Sequence, residues 1–390
     1  MINPLAIFGN HDEKTIQQMW RCLGVGNAVR GVLCADGHFG YAQPVGGVIA
    51  YRDMISVSGV GFDIGCGNMA VRTDMGINDI GLRIPQIARD INRKISFGVG
   101  RCNNERVDHP LFESDLWKQA DIEQLKPMAR EQLGTVGSGN HYVDLFRDEE
   151  DFIWIGVHFG SRGLGHKTAT KYLALAGGVD GMDVAPAVLD AHSELGQAYI
   201  AGMTLAGEYA YAGREWVVNQ VVRILAAKVT HSVHNHHNYA WQETHDGENL
   251  WVVRKGATPA FPGQQGFVGG SMGDNAVIIE GVESPMSFLA LYSTVHGAGR
   301  VMGRMEAKGK KDKNTGEWKR EPRIKREDMD AWVKAKGVYI IGGDVDEAPQ
   351  AYRRLDEVLK FHEGTIKINH VLRPIVAIMA GKEVRDPYKD

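Results

Sequence analysis

Residues 152–163 read FIWIGVHFGSRG, an apolar run of strand length that ends on a histidine and then a glycine-flanked turn. A short apolar run rich in β-branched and aromatic residues, closed by a turn, reads as a buried strand. His158 then stands at the end of a rigid element, where a ligand atom is well held. Working outward, four further clusters gather metal- or phosphate-binding side chains, most of them on glycine-rich corners: GFDIGCGN at 61–68, GSGNHYVD at 137–144, HSVHNHHNY at 231–239 and TVHGAGR at 294–300. One carboxylate, one thiolate and several imidazoles, beside glycines that let backbone approach a ligand closely, are the ingredients of a transition-metal site.

The segments between the clusters supply the scaffold. A short amphipathic helix is expected at 13–22, and VGGVIAYRDMISVSG at 45–59 alternates like a strand up to a strand-to-loop corner at 61–68. Residues 84–98 and 113–132 read helical. The stretch 187–229 has helical apolar periodicity interrupted by Gly196, Gly202, Gly207 and Gly213, which predicts two helices or one bent helix packed across a sheet. Strand patterns return at 249–254, 275–280 and 286–293, the last leading into His296; helices at 326–335 and 347–361 and an apolar strand at 371–379 close the chain. No repeat or Pro/Ser-rich linker marks a boundary. The expectation is one mixed α/β domain over residues 1–390, with central β-sheets, surrounding helices and a bimetal site, too irregularly interleaved for a doubly wound sheet.

At 390 residues and 43% hydrophobic content the chain can bury a sizeable core. The N-terminal MINPLAIFGNHDEK lacks the basic and apolar regions of a signal peptide, and no run of about 18 apolar residues occurs. Cys22, Cys34, Cys66 and Cys102 are dispersed without a disulfide pattern, so a reducing cytoplasm is expected. The net charge of −4 argues against a globally basic nucleic-acid binder, yet residues 304–326, RMEAKGKKDKNTGEWKREPRIKR, are strongly basic and contain Trp318. This stretch reads as a solvated loop, or as an electrostatic guide for a phosphate backbone if a phosphate-handling site lies nearby.

Asp63 and Cys66 lie three apart on one turn, so carboxylate and thiolate can converge on one ion. The plainer reading makes Asp63 a turn cap and Cys66 a small buried apolar residue. His141 follows Asn140 in a glycine-rich loop, His158 ends a strand and His237 closes an imidazole-rich run. Each alone is an ordinary histidine; together with Asp63 and Cys66 they point to a metal centre. His231, His234 and His236 exceed what one site needs and are expected around it or at the surface, although His234-Asn235 competes with His237-Asn238 as the same dipeptide. His296 differs in kind. The glycines after it leave backbone N–H groups for a phosphate and Arg300 would neutralise charge, which suits a nucleophile attacking a nucleotide phosphate; alone it would be a phosphate-binding or turn histidine.

In order and wording these clusters resemble the RtcB family of RNA-splicing ligases. The motifs that carry the resemblance are DGHFGYAQPVGG at 36–47, VGFDIGCGN at 60–68, LGTVGSGNHYVD at 133–144, HFGSRG at 158–163, HHNY at 236–239, RKGATPAFPGQ at 254–264, GGSMGD at 269–274, HGAGRVMGR at 296–304 and DEAPQAY at 346–352. The resemblance implies an RtcB-like fold and a ligase that joins an RNA 3′-phosphate or 2′,3′-cyclic phosphate end to a 5′-hydroxyl end with GTP and Mn2+. It implies two manganese ions bridged by Cys66, with Asp63 and His141 completing the protein ligands of one ion and His158 and His237 those of the other. His296 would attack the α-phosphate of GTP to give a histidine–GMP adduct. Asn140, Asp144, Lys255, Ser271, Gly297, Ala298, Gly299 and Tyr352 would surround the nucleotide. Arg162, Arg300 and Arg304 would hold RNA phosphates, and Asp36 and His38 would orient metal ligands or the incoming end. The partner implied is RNA with those ends, with no membrane; neither a particular RNA nor an activating protein is specified.

Three positions depart from the family pattern. Where members carry a serine, a glutamate and a lysine that read guanine, this chain has Ala276, Asp144 and Ala380, with Lys382 two residues further on. A relaxed preference for GTP over ATP is therefore expected. Two other classes compete with the ligase: a bimetal phosphodiesterase or cyclic-phosphate hydrolase, and a noncatalytic RNA end-binding protein. The HGAGR motif opposes both, since neither needs a guanylylated histidine.

Overall fold

The computed structural model describes residues 4–312 and 315–382, so Lys313 and Asn314 of the basic stretch lie outside the described residues. Phe152–Phe159 forms the strand its sequence predicts. It lies inside an eight-stranded sheet, antiparallel to both Gly67–Gly76 and Tyr142–Arg147. Ile153, Trp154, Ile155 and Val157 are all buried, which explains an unbroken apolar run where a half-exposed strand would alternate. The sheet runs in the order Gln265–Val268, Ala276–Gly281, Ile366–Gly381, Tyr142–Arg147, Phe152–Phe159, Gly67–Gly76 and Val229–His236, with Tyr339–Gly343 parallel to Ile366–Gly381. A second sheet holds five strands: Leu5–Ile7, Ala28–His38, Val45–Tyr51, Glu248–Lys255 and Asn238–His245. The fold is the expected mixed α/β type with central sheets and surrounding helices.

One element ties the two sheets together. Glu194–Leu225 is a single helix of 32 residues, about 48 Å long at 1.5 Å per residue. Its first half sends Tyr199, Met203 and Ala206 into a core with Ile49, Tyr51 and Val253 of the five-stranded sheet. Its second half sends Val217, Val218 and Val221 against Val71, Ile155 and Val157 of the eight-stranded sheet. Ser193 caps it, its Oγ accepting from Gly196 N at 3.0 Å, a contact worth about 1 kcal/mol.

Several segments differ from their sequence reading. The 187–229 stretch is one helix, preceded by the short strand Val188–Asp190, and its glycines are packing positions: a Cβ at Gly207 would lie 2.8 Å from the Tyr239 ring. Residues 286–293 are not a strand. Pro285–Leu289 is helical because Ser284 Oγ accepts from Ser287 N at 2.9 Å and Pro285 suits a first turn, and only Ser293–Val295 is extended before His296. The 113–132 region breaks into Leu116–Gln119 and Lys126–Gln132, with Asp121 at φ 48° between them. In 347–361 only Leu355–Lys360 is α-helical, since Pro349 follows Ala348 in extended conformation. The helix from Ile84 stops at Lys94, and the last strand runs longer than read, Ile366–Gly381. Strands Val45–Tyr51 and Met54–Ser56 lead into a short helix, Val57–Val60, so the 61–68 cluster sits at a helix-to-strand corner. The helix Glu13–Leu23, the strands at 248–255 and 276–281 and the helix Arg326–Ala335 fall where expected. Among the described residues no helix is long and apolar enough to cross a membrane.

Candidate functional site

The two sheets meet at His237. Val229–His236 belongs to the eight-stranded sheet and Asn238–His245 to the five-stranded one, so His237 stands where the chain crosses from one to the other. The crossing is tied to the first cluster: His237 N and Asn238 N donate to Cys66 O at 2.8 and 3.2 Å, and Gly65 N donates to Asn238 O at 2.8 Å. Strand register does the rest. Asn68 and Tyr142 both lie opposite His158, and Gly67 opposite His236, so Cys66, His141, His158 and His237 arrive at one level of the sheet. Glycine is required here for room: a Cβ at Gly160 would fall 2.2 Å from Asp63 Oδ1, and one at Gly137 2.0 Å from His141 Nδ1.

The donor atoms converge. Cys66 Sγ lies 3.7 Å from His141 Nε2 and 3.7 Å from His158 Nε2. Among the described residues these three side chains form the group whose ligand atoms lie within 4.8 Å of one another. Asp63 Oδ2 is 3.1 Å from His141 Nε2. The His237 ring stacks on His158 with centroids 5.2 Å apart. Neighbouring amides orient the rings. His158 Nδ1 donates to Asn68 Oδ1 at 2.6 Å and His237 Nδ1 to Asn238 Oδ1 at 3.2 Å, which leaves the lone pair of each ring on Nε2. Asn140 Nδ2 lies 3.4 Å from His158 Nε2.

The electrostatics suit a cation. Burial drives His158 and His237 far below the usual imidazole range, so both are neutral, as ligands must be. His237 Nε2 is buried with no protein hydrogen-bond partner. Burial would raise the Asp63 carboxyl, but hydrogen bonding and charge from His141 hold it down at about 2. Burial and then the neighbouring Asp63 push the Cys66 thiol well up, so a metal binding there would displace its proton. A soft thiolate, a carboxylate and imidazoles fit a borderline divalent transition metal.

This group opens into a cavity of about 800 Å³ that His296 also lines. The His296 and His237 rings are 4.8 Å apart, centroid to centroid. His296 Nδ1 lies 2.6 Å from the buried Asp36 Oδ2, an oxygen that also accepts from the backbone N–H of His296 and Gly297. A carboxylate can only accept, so Nδ1 carries a proton and is the donor, and Nε2 is the ring nitrogen left for other chemistry. Asn140, Asp144, Lys255, Ser271, Gly297, Ala298, Gly299 and Tyr352 line the same cavity. Ser271 Oγ donates to Asp274 Oδ2 at 2.6 Å. Lys255 Nζ donates to Tyr41 O at 2.5 Å, and burial lowers its pKa to about 8. Asp144 Oδ1 accepts from Ile378 N at 3.3 Å, and burial raises its carboxyl well above the usual range. Ala276 lies elsewhere, fully buried in a core with Trp154 and Phe267. Lys382 is exposed in the turn after the last strand.

The three arginines part company. Arg300 and Arg304 line the cavity. Arg300 pairs with Glu347 Oε2 at 3.4 Å and donates to Tyr352 OH at 2.9 Å and Asp346 O at 2.8 Å; Arg304 pairs with Glu347 and with Asp346, 3.7 Å away. Arg162 is outside the cavity lining, its guanidinium donating to Gly98 O at 3.0 Å and Thr135 Oγ1 at 3.3 Å. Asp36 serves His296 and no metal ligand, and His38 Nδ1 donates to Asp36 O at 3.1 Å, its pKa lowered to about 4 by burial.

Two residues escaped the sequence reading. Arg214, fully buried on the long helix, donates to Gly65 O at 2.9 Å and Phe159 O at 2.6 Å and contacts His234 Nε2 at 2.8 Å and His236 Nδ1 at 3.0 Å. It thereby clamps the Cys66 loop, the end of the His158 strand and the imidazole-rich run, which accounts for His234 and His236. Asn68 could have been suspected, since it closes GFDIGCGN; a lone arginine in an apolar helix gave no signal.

A family model described as tRNA-splicing ligase RtcB matches residues 21–380. The chain is 29% identical to the RNA-splicing ligase RtcB of Escherichia coli (strain K12) over 379 residues, covering 88% of each chain. It is 30% identical to the tRNA-splicing ligase RtcB of Thermococcus kodakarensis over 421 residues, covering 86% of this chain and 84% of that protein. With the tRNA-splicing ligase RtcB of Nanoarchaeum equitans the identity is 31% over 426 residues, covering 89% and 87%.

Proposed function

This chain belongs to the RtcB family of tRNA-splicing ligases, and from that premise we propose that it is a GTP- and manganese-dependent RNA ligase. It joins RNA 3′-phosphate or 2′,3′-cyclic phosphate ends to 5′-hydroxyl ends through a histidine–GMP intermediate. The observation that carries the reading is the 2.6 Å contact between His296 Nδ1 and the buried Asp36 carboxylate at the wall of the cavity that also holds the Cys66 group. A histidine oriented this way can act as a nitrogen nucleophile toward phosphorus.

Asp63, Cys66, His141, His158 and His237 would hold two manganese ions, which supply charge neutralisation on the triphosphate and alignment for in-line displacement. His296 Nε2 attacks the α-phosphorus of GTP; the P–N bond forms, the bridging P–O bond breaks and pyrophosphate leaves. Asp36 holds the Nδ1 proton and stabilises the positive charge that develops on the ring. A cyclic end is first hydrolysed to the 3′-phosphate. An oxygen of that phosphate then displaces His296 from GMP, and the 5′-hydroxyl attacks the activated phosphate and expels GMP. The backbone of Gly297–Gly299 approaches the nucleotide phosphates, Ser271 and Lys255 border them, and Asp144 and Tyr352 border the base. Arg300 and Arg304 hold RNA phosphates at the mouth.

The test is incubation of manganese-loaded protein with α-labelled GTP, followed by addition of RNA ends. The expected result is an acid-labile, base-stable protein adduct, absent in His296→Ala, that is discharged into joined RNA. Opening of cyclic phosphates with no adduct would replace the ligase with a hydrolase.

A further inference from the structure

We propose that the basic hairpin formed by Lys310–Lys311 and Trp318–Arg320 is a landing surface for the single-stranded RNA that flanks the ends being joined. The proposal rests on the ligase reading of the adjoining cavity. Residues 304–326 carry ten basic side chains against four acidic ones, a net +6 in a chain whose total is −4, so the rest of the molecule carries −10. Positive charge is concentrated in one place on an otherwise acidic protein.

That place adjoins the candidate site. Arg304 and Glu306, on the helix Arg304–Lys308, line the cavity, and the hairpin begins two residues after that helix ends. Lys310 lies six positions after Arg304, a reach of at most ~20 Å, or about six nucleotides of a stacked strand at 3.4 Å each. The hairpin is tied to that helix: Gly309 packs against the Trp318 ring, where a Cβ would lie 2.8 Å away, and beyond the second strand Arg323 pairs with the cavity-lining Glu306.

The hairpin leaves cations and an aromatic ring open to a ligand. Lys319 is paired, with Asp312 at 2.6 Å, but Lys310, Lys311 and Arg320 have no carboxylate within ion-pair distance among the described residues. Trp318 is 45% exposed, and Lys311 Nζ sits 4.6 Å from its ring centroid. Unpaired cations along a strand beside an exposed indole match an RNA strand in both of its parts: phosphates meet the cations and a base stacks on the ring. An acidic protein would use the cations and leave the indole idle.

The experiment compares the full-length protein with a Lys310→Ala/Lys311→Ala/Arg320→Ala variant and with Trp318→Ala, after confirming equal thermal midpoints. Binding of a single-stranded RNA bearing a 3′-phosphate is measured across a salt series. Removing three phosphate contacts should lower the slope of log K against log salt by about 2, and Trp318→Ala should weaken binding roughly tenfold and abolish the RNA-dependent change in tryptophan fluorescence. Labelling by α-labelled GTP, which needs no RNA, should match wild type in both variants. A wild-type slope and affinity in both variants would overturn the proposal. If the wild type binds RNA through these residues but forms neither adduct nor joined RNA, the ligase reading falls and the landing surface stands.

Discussion

His296 Nδ1 donates to Asp36 Oδ2 at 2.6 Å, across 260 residues of sequence, and the same oxygen accepts the backbone N–H groups of His296 and Gly297. One carboxylate thus sets the ring, its tautomer and the start of the glycine turn behind it. Burial alone would raise the Asp36 carboxyl, yet the charge and hydrogen bonds of His296 hold it below the usual range. Asp36→Asn is expected to slow adduct formation roughly a thousandfold, measured as single-turnover labelling with α-labelled GTP. A wild-type rate would show that the ring needs no such orientation.

Cys66→Ala should lose both metal ions or leave them disordered, because one sulfur lies 3.7 Å from the Nε2 atoms of both His141 and His158, the imidazoles proposed for different ions. His158→Ala should weaken mainly one. Manganese content of the purified variants decides; full occupancy with ligation intact in Cys66→Ala would remove the bridging assignment.

Nucleotide choice should be looser than in relatives with the full guanine-reading set. Asp144 lines the cavity, whereas Ala276 is buried in the core and is not part of the cavity lining. Burial raises the Asp144 carboxyl well above the usual range, which favours the neutral acid. In that form it offers a donor beside an acceptor, the pattern the adenine edge takes; ionised, it offers two acceptors, which suits guanine. Its folded-state pKa is raised, so raising the pH ionises it, and GTP preference should increase with pH. At neutral pH the two nucleotides should label the protein within roughly tenfold of each other, the effect of a hydrogen bond worth about 1 kcal/mol. Tight GTP selectivity at every pH would place base reading elsewhere.

His362 should contribute to acid sensitivity. Its ring stacks on Phe8 and its Nε2 accepts from Ala35 N at 3.2 Å, the residue before Asp36, and burial lowers its pKa from 6.5 to about 4. Between those values the unfolded chain takes up the proton and the folded one does not. Stability is therefore fully present above pH 6.5 and falls as pH drops toward 4, by about 3 kcal/mol from this group. Urea midpoints of wild type and His362→Gln in that window should show a shallower acid slope in the variant; parallel slopes would exclude His362 as the source.

Arg214→Met should remove the group that joins Gly65 O, Phe159 O, His234 and His236 around the Cys66 loop, with only His236 Nδ1 left 3.0 Å from Gly65 O. The cost is roughly 3 kcal/mol or more, read from denaturation, with weaker manganese binding as the signature of a displaced loop. Arg214→Lys keeps the charge but cannot reach all four acceptors, and should recover stability in part and metal affinity less.

The site was more legible than the fold around it. Clusters such as GFDIGCGN announce themselves because a ligand atom, an orienting amide and the glycine that makes room lie within a few residues. The buried strand at 152–159 was equally plain. What stayed hidden depended on distant partners. The glycines of the long helix read as breaks because nothing local reveals that Tyr239 presses on Gly207. Residues 286–293 were apolar enough for a strand, and only the cap from Ser284 turned their start into a helix. Asp36 reads as orienting metal ligands or the incoming end, and its contact with His296 stays hidden because 260 residues separate them. Arg214 was missed for the same reason: its four contacts come from three separate elements.

Arg300 and Arg304 already rest on Glu347 and Asp346 at the edge of the cavity. A phosphate that takes either guanidinium must evict a carboxylate, so the event is a swap of one anion for another with little release of dissolved ions. Its strength would then turn on how well each anion fits the fork and hardly at all on ionic strength. The hairpin's bare lysines would feel every change in salt. An RNA at this mouth would thus be gripped by its end and only attracted by its flank, and a rise in salt would loosen the approach while sparing the grip.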